Sequence, residues 1–86
     1  MNLSDYRQEI DRIDREMVRL FTERMDIASD IGRYKKENGL PVHDPQREQE
    51  KLASLAGQTR EEFRPYVEGL YSAIFELSRA WQEKNQ

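Results

Sequence analysis

Cysteine is absent from this 86-residue chain, which excludes disulfides and thiolate metal sites. Histidine is present once, as His43, too little for a histidine-based metal cluster. No apolar run approaches the roughly 18 residues a membrane-spanning helix needs. Met1 to Tyr6 lacks the apolar core of a signal peptide, so the expectation is a soluble, cytoplasmic protein. An excess of basic residues is missing too. Fourteen Lys and Arg stand against 17 Asp and Glu, a net charge of −3, which argues against a general nucleic-acid binder but leaves room for a local cationic pocket. At this length a single domain, residues 1–86, is expected. Its core is small, and short chains of this kind are often helped by oligomerisation.

Proline and glycine are also scarce, at three and four residues, and their positions divide the chain. From Leu3 to Asn38 there is no proline. Leu3, Tyr6, Ile10, Ile13, Met17, Leu20, Arg24, Ile27, Ile31 and Tyr34 follow a 3-4 spacing there, apolar at every position but Arg24. That is a helical stripe of coiled-coil type. Asn2 or Ser4 can cap its start, and Asn38-Gly39 can end it. Asp44-Pro45 opens a second helix, with Asp as N-cap and Pro at the first helical position. Leu52 and Leu55 give it a modest apolar face, and Gly57 closes it. Thr59 with Glu62 has the form of a capping box, and Pro65 can start the third helix after a preliminary turn over residues 60–64. Val67, Leu70, Ile74, Leu77 and Trp81 form that helix's apolar stripe. No strand pattern is present. The fold class is all-α, with three helices, the first much the longest.

A first helix of this length spans roughly 50 Å, whereas a compact domain of this size is roughly 30 Å across. The helix overhangs any monomeric core, and a second copy of itself is the simplest cover for its stripe. The expectation is an intertwined homodimer, a bundle of six helices. The alternative is a break near Gly32 that folds the helix back on its own chain.

Arg24 stands where the stripe calls for Leu or Ile. A buried cation is costly unless paired. It can pair across a dimer, it can snorkel to solvent, or its guanidinium can point into a pocket and hold an anion bidentately. Lys35, eleven residues on, lies on the same face about 16 Å along the axis. Alone it reads as a solvated lysine near a helix C-terminus; with Arg24 it can grip a small dianion. Arg7 is an ordinary surface arginine on its own chain, but an antiparallel partner helix brings it to the other chain's site. Glu48 points to the same side as Leu52, with Arg47 beside it as a surface ion pair or a pocket wall. Ser78 and Gln82 lie one turn apart beside the stripe of the third helix. His43 reads as a loop residue without chemistry. Phe21, Phe75 and Trp81 read as core.

The series Arg7, Arg24, Lys35, Asp44, Arg47, Glu48, Ser78 and Gln82 resembles the all-helical bacterial chorismate mutase family. So does the text around it, notably Ile31-Gly32-Arg33-Tyr34-Lys35 and Pro41-Val42-His43-Asp44-Pro45-Gln46-Arg47-Glu48. The resemblance covers nearly the whole chain, with only the loop between the second and third helices shortened. It implies interlocked three-helix chains, each site taking one arginine from the other chain. It also implies that chorismate is the substrate, that no cofactor is used, and that prephenate is made for phenylalanine and tyrosine biosynthesis. Arg24 and the partner's Arg7 would bind the two carboxylates. Lys35 would contact a carboxylate and the ether oxygen, and Gln82 would donate to that oxygen. Glu48 would accept from the ring hydroxyl with the Asp44 backbone nearby. Ser78 would help hold a carboxylate, and Arg47 would support Glu48. Such domains occur fused to prephenate dehydratase, prephenate dehydrogenase or the first enzyme of the shikimate route. Two other readings stay open: an isochorismate–pyruvate lyase of the same fold, and a helical dimerisation module without catalysis.

Overall fold

A computed structural model describes residues 1–85; Gln86, the last residue of the expected domain, lies outside the described residues. Three α-helices follow in order: α1, Leu3–Glu37; α2, Pro45–Ala56; and α3, Arg64–Lys84. A short 3₁₀ turn, Glu61–Phe63, precedes α3.

The ends of α1 follow from local chemistry. Asn2 is the N-cap, and its side-chain oxygen accepts from the Asp5 amide at 3.0 Å. The Asp5 carboxylate accepts from the Asn2 amide in return at 3.1 Å, which closes a capping box. At the far end Gly39 takes a positive φ of 65°. The amide of Leu40 then donates to the Lys35 carbonyl, and that of Gly39 to the Lys36 carbonyl, at 2.8 and 3.3 Å. This is a Schellman stop, which needs a left-handed residue and so favours glycine. The helix is continuous through Gly32, so the expected alternative of a break there does not occur. Asp44 caps α2 by accepting from the Arg47 amide at 3.1 Å. The expected capping box at Thr59 and Glu62 is not formed. Arg60 precedes the turn without a side-chain cap; it pairs with Glu62 at 2.7 Å and lies over the Phe63 ring.

The two shorter helices fold back along the second half of α1. Helix α3 packs against both α1 and α2, while among the described residues α1 and α2 do not pack on each other. A gap between them therefore remains, floored by α3. The core around it is small: Ala28, Ala56 and Phe75 are its buried apolar residues, and Gly32, Ser78 and Gln82 are buried with them.

The first half of α1 overhangs this core. The chain measures 54 × 26 × 15 Å, and its radius of gyration is 15.9 Å, above the roughly 12 Å of a compact domain this size. Along the stripe, Ile10, Met17, Leu20 and Ile27 are all at least half exposed. The apolar stripe of α3 behaves similarly. Leu70 and Leu77 face outward, whereas Phe75, Ser78 and Gln82 turn inward. The inner face of α3 is thus offset from its stripe, because the stripe is not what packs within the chain.

Gly32 has a specific packing role. A Cβ placed there would lie 3.0 Å from the Gln82 carbonyl oxygen and 3.1 Å from its Cα. Backbone meets backbone at this crossing, and α3 cannot yield by turning a side chain. Gly32→Ala gains about 1 kcal/mol in helix propensity but overpacks at about 1–3 kcal/mol. The expected result is a melting temperature lowered by several degrees, read by circular dichroism.

Candidate active site

The gap between α1 and α2 is a cavity of about 500 Å³, a size suited to a small organic ligand. Seven of the eight residues singled out in the sequence line it: Arg24 and Lys35 from α1, Asp44 from the loop, Arg47 and Glu48 from α2, and Ser78 and Gln82 from α3. Arg7 does not. It stands exposed on the overhanging half of α1, seventeen residues and roughly 25 Å from Arg24.

Arg24 is half-buried, and its Nη1 donates to the Ser78 hydroxyl at 2.8 Å. Its guanidinium also lies 5.8 Å from the centre of the Phe75 ring, a cation–π distance that fixes the charge over an apolar floor. Phe75 is core, as expected from the sequence, and it is also the floor of the cavity. Lys35 Nζ donates to the Val42 carbonyl at 2.9 Å. An ammonium has three donors, so two remain for a ligand.

Glu48 departs from the expected arrangement. Its carboxylate is held by Arg79, not by Arg47. Arg79 Nη1 donates to both oxygens, at 2.5 and 2.6 Å. His43 Nε2 lies 3.9 Å from the same carboxylate, which gives that loop residue an electrostatic neighbour the sequence did not suggest. Arg47 itself lines the cavity, and its amide serves the α2 cap.

Gln82 is 8% exposed, and its Oε1 is buried without a hydrogen-bond partner among the described residues. Such groups are rare in folded proteins, and each calls for a donor to complete it.

Arg79 and Lys51 also line the cavity and were missed in the sequence. Phe75, Ser78, Arg79 and Gln82 are spaced i, i+3, i+4, i+7, and Asp44, Arg47, Glu48 and Lys51 repeat the pattern. Each set is one face of a helix. Following the polar face rather than the apolar stripe would have found both residues. In all, five cations face two carboxylates across the cavity, on a chain whose net charge is −3. Among the described residues no helix is long and apolar enough to cross a membrane, and no cluster of three or more His, Cys, Asp or Glu could hold a metal.

Fold and cavity define an all-helical protein with a cation-rich site built from every helix. Residues 6–83 match the family described as chorismate mutase type II, and the chain belongs to that family. Chorismate mutase (Form II) from Thermus thermophilus superposes with a TM-score of 0.92 at 36% identity, over 98% of this chain and 97% of that one. Chorismate mutase from Helicobacter pylori, solved in complex with prephenate, gives a TM-score of 0.87 at 34% identity, over 96% and 91%. The bifunctional chorismate mutase/prephenate dehydratase of Aquifex aeolicus is 42% identical over 59 residues, 69% of this chain and 16% of that protein. In the curated relatives aligned first, the matched stretch is 12%, 16% and 46% of their own length.

Proposed function

We propose that this chain catalyses the Claisen rearrangement of chorismate to prephenate, in a cavity completed by a second copy of itself. The observation that carries the reading is the convergence of Arg24, Lys35, Glu48, Ser78 and Gln82 on one cavity, in a chain of the chorismate mutase type II family. Chorismate is a dianion, and the excess of cations in the wall matches it. The reaction breaks the ether carbon–oxygen bond and forms a carbon–carbon bond in one step, without proton transfer or a covalent intermediate. A nucleophile with its base is therefore not needed. What is needed is a folded substrate and stabilisation of the charge that grows on the ether oxygen.

In this reading Arg24, aimed by Ser78, grips one carboxylate bidentately. Lys35 contacts a carboxylate and the ether oxygen, and the Gln82 amide donates to the same oxygen. These donors stabilise the transition state more than the ground state, because the oxygen charges up only as the bond breaks. Glu48 accepts from the ring hydroxyl, beside the Asp44 backbone, and Arg47 closes the wall. Holding the chair-like conformer supplies several kcal/mol more.

The dimer belongs to the same proposal. The exposed stripe on α1 and the exposed Leu70 and Leu77 of α3 support it. An antiparallel, intertwined pair would cover them as a bundle of six helices and bring Arg7 of each chain to the other's cavity. Residues 1–86 then act as one mutase domain in the cytoplasm, on the route to phenylalanine and tyrosine. A prephenate-consuming enzyme, fused or separate, is the natural neighbour.

Mixing the protein with chorismate and following the loss of its ultraviolet absorbance tests the reaction. Formation of prephenate is the expected result. Pyruvate release from isochorismate with no prephenate would make it a lyase, and inactivity toward both would leave a dimerisation module. Gln82→Glu sharpens the assignment. A carboxyl donates a hydrogen bond only when protonated, so this variant should work at acidic pH and lose activity as the pH rises toward neutral. The parent amide should stay active throughout, and pH–kcat profiles of the two proteins make the comparison.

A further inference from the structure

We propose that Arg79 is a positioning residue that aims Glu48 and cancels its charge toward a dianionic ligand. This role rests on the mutase reading and extends it to a residue outside the resemblance that led there. A bare carboxylate in a wall meant for a dianion is a liability. It would repel the ligand, and nothing would fix the direction of its lone pairs. Arg79 answers both problems from a different helix. Its Nη1 reaches from α3 to both Glu48 oxygens, at 2.5 and 2.6 Å, and both side chains are about three-quarters buried.

The other polar and cationic groups around Glu48 do not replace it. His43 approaches from the loop to 3.9 Å, beyond hydrogen-bond distance. Arg47 and Lys51 share α2 with Glu48, and Arg24 and Lys35 line the cavity from α1. In the mutase reading Arg24 and Lys35 serve the ligand and Arg47 closes the wall, and the hydrogen bonds to the Glu48 carboxylate come from Arg79. With Arg79 in place Glu48 remains an acceptor, since each carboxylate oxygen can take a second donor. The pair as a whole is neutral, so the cations of the wall are left to the ligand's own charges. A simple structural tie between α2 and α3 is the competing account, and the two differ in what charge does.

Prephenate affinity, measured by titration calorimetry on the full chain with thermal melts to confirm folding, separates them. Arg79→Gln can keep a hydrogen bond to Glu48 without the charge. Arg79→Met keeps neither. Both should weaken prephenate binding by about tenfold or more, the order expected for a half-screened charge at contact distance. Adding Glu48→Gln to Arg79→Met removes the uncancelled carboxylate, and affinity should recover relative to Arg79→Met alone. Arg79→Lys should bind close to the parent but turn over more slowly, because a point charge neutralises without aiming. Parent-like affinity in Arg79→Gln, or a double variant no better than Arg79→Met, overturns the inference. If Arg79→Met does not fold, the Gln and Lys variants decide it by the same criteria. A parent protein that neither binds prephenate nor converts chorismate overturns the mutase reading and this inference together; an active parent with unaffected Arg79 variants overturns the inference alone.

Discussion

Lys35→Ala is expected to lower kcat by two to three orders of magnitude while leaving the helices in place. The size follows from the chemistry: one preorganised donor at a developing oxyanion is worth about 3 kcal/mol, and each 1.4 kcal/mol is about a factor of ten. The fold should survive because the substitution is structurally mild. Lys35 is only half-buried, alanine is the best helix former, and the Val42 carbonyl that loses its donor sits on a loop. Arg24→Ala should be equally damaging but divided differently. It removes a carboxylate clamp, so KM rises along with the fall in kcat. It also takes the Arg24 guanidinium away from the Ser78 hydroxyl, on a residue only 6% exposed, at a stability cost of about 1–3 kcal/mol. Steady-state kinetics with a circular-dichroism melt separates the two effects. Near-parent activity in either variant would reject the assignment of the cavity.

The helices were legible because their punctuation is chemical. Asp44-Pro45, Asn38-Gly39 and the proline-free run before them each have one cheap conformation, and the structure adopts it. Thr59 failed as a cap because a capping motif competes with other local pairings, and Arg60 found Glu62 and Phe63 instead. Most of the cavity was legible as well, but only in combination: Arg24 stood out in an apolar register, whereas Lys35, Glu48, Ser78 and Gln82 taken singly read as ordinary polar residues and gained meaning from the series they form. The face of α3 was harder. Its apolar stripe points to an inner side, yet Leu70 and Leu77 face outward. Periodicity says that a helix has an apolar face; it does not say what that face meets. Arg79 shares the polar face with Ser78 and Gln82 and could have been found there, but its pairing with Glu48 could not. Its partner lies 31 residues away, and long-range pairing between helices carries no local signal.

Mixing equal amounts of an Arg7→Ala chain and a Lys35→Ala chain, each nearly inactive alone, should restore about a quarter of the parent activity. Half of randomly exchanged dimers are mixed, and each mixed dimer holds one intact site of its two. The other site of that dimer carries both lesions. What decides the outcome is where Arg7 can reach. Roughly 25 Å of helix separates it from Arg24, farther than an arginine extends, so it cannot serve its own cavity. If two α1 helices cross antiparallel at their midpoints, near Leu20, residue 7 of one lies level with residue 33 of the other, between Ile31 and Lys35. Arg7 is exposed in the single chain, so removing it should not disturb folding. Chain exchange must be verified independently, by mass spectrometry of the mixed dimer. Recovery then requires a site assembled from both chains, because two lesions confined to separate, self-contained sites cannot complement. Verified exchange without recovery would mean that Arg7 plays no part across the interface, and the overhanging half of α1 would need another explanation.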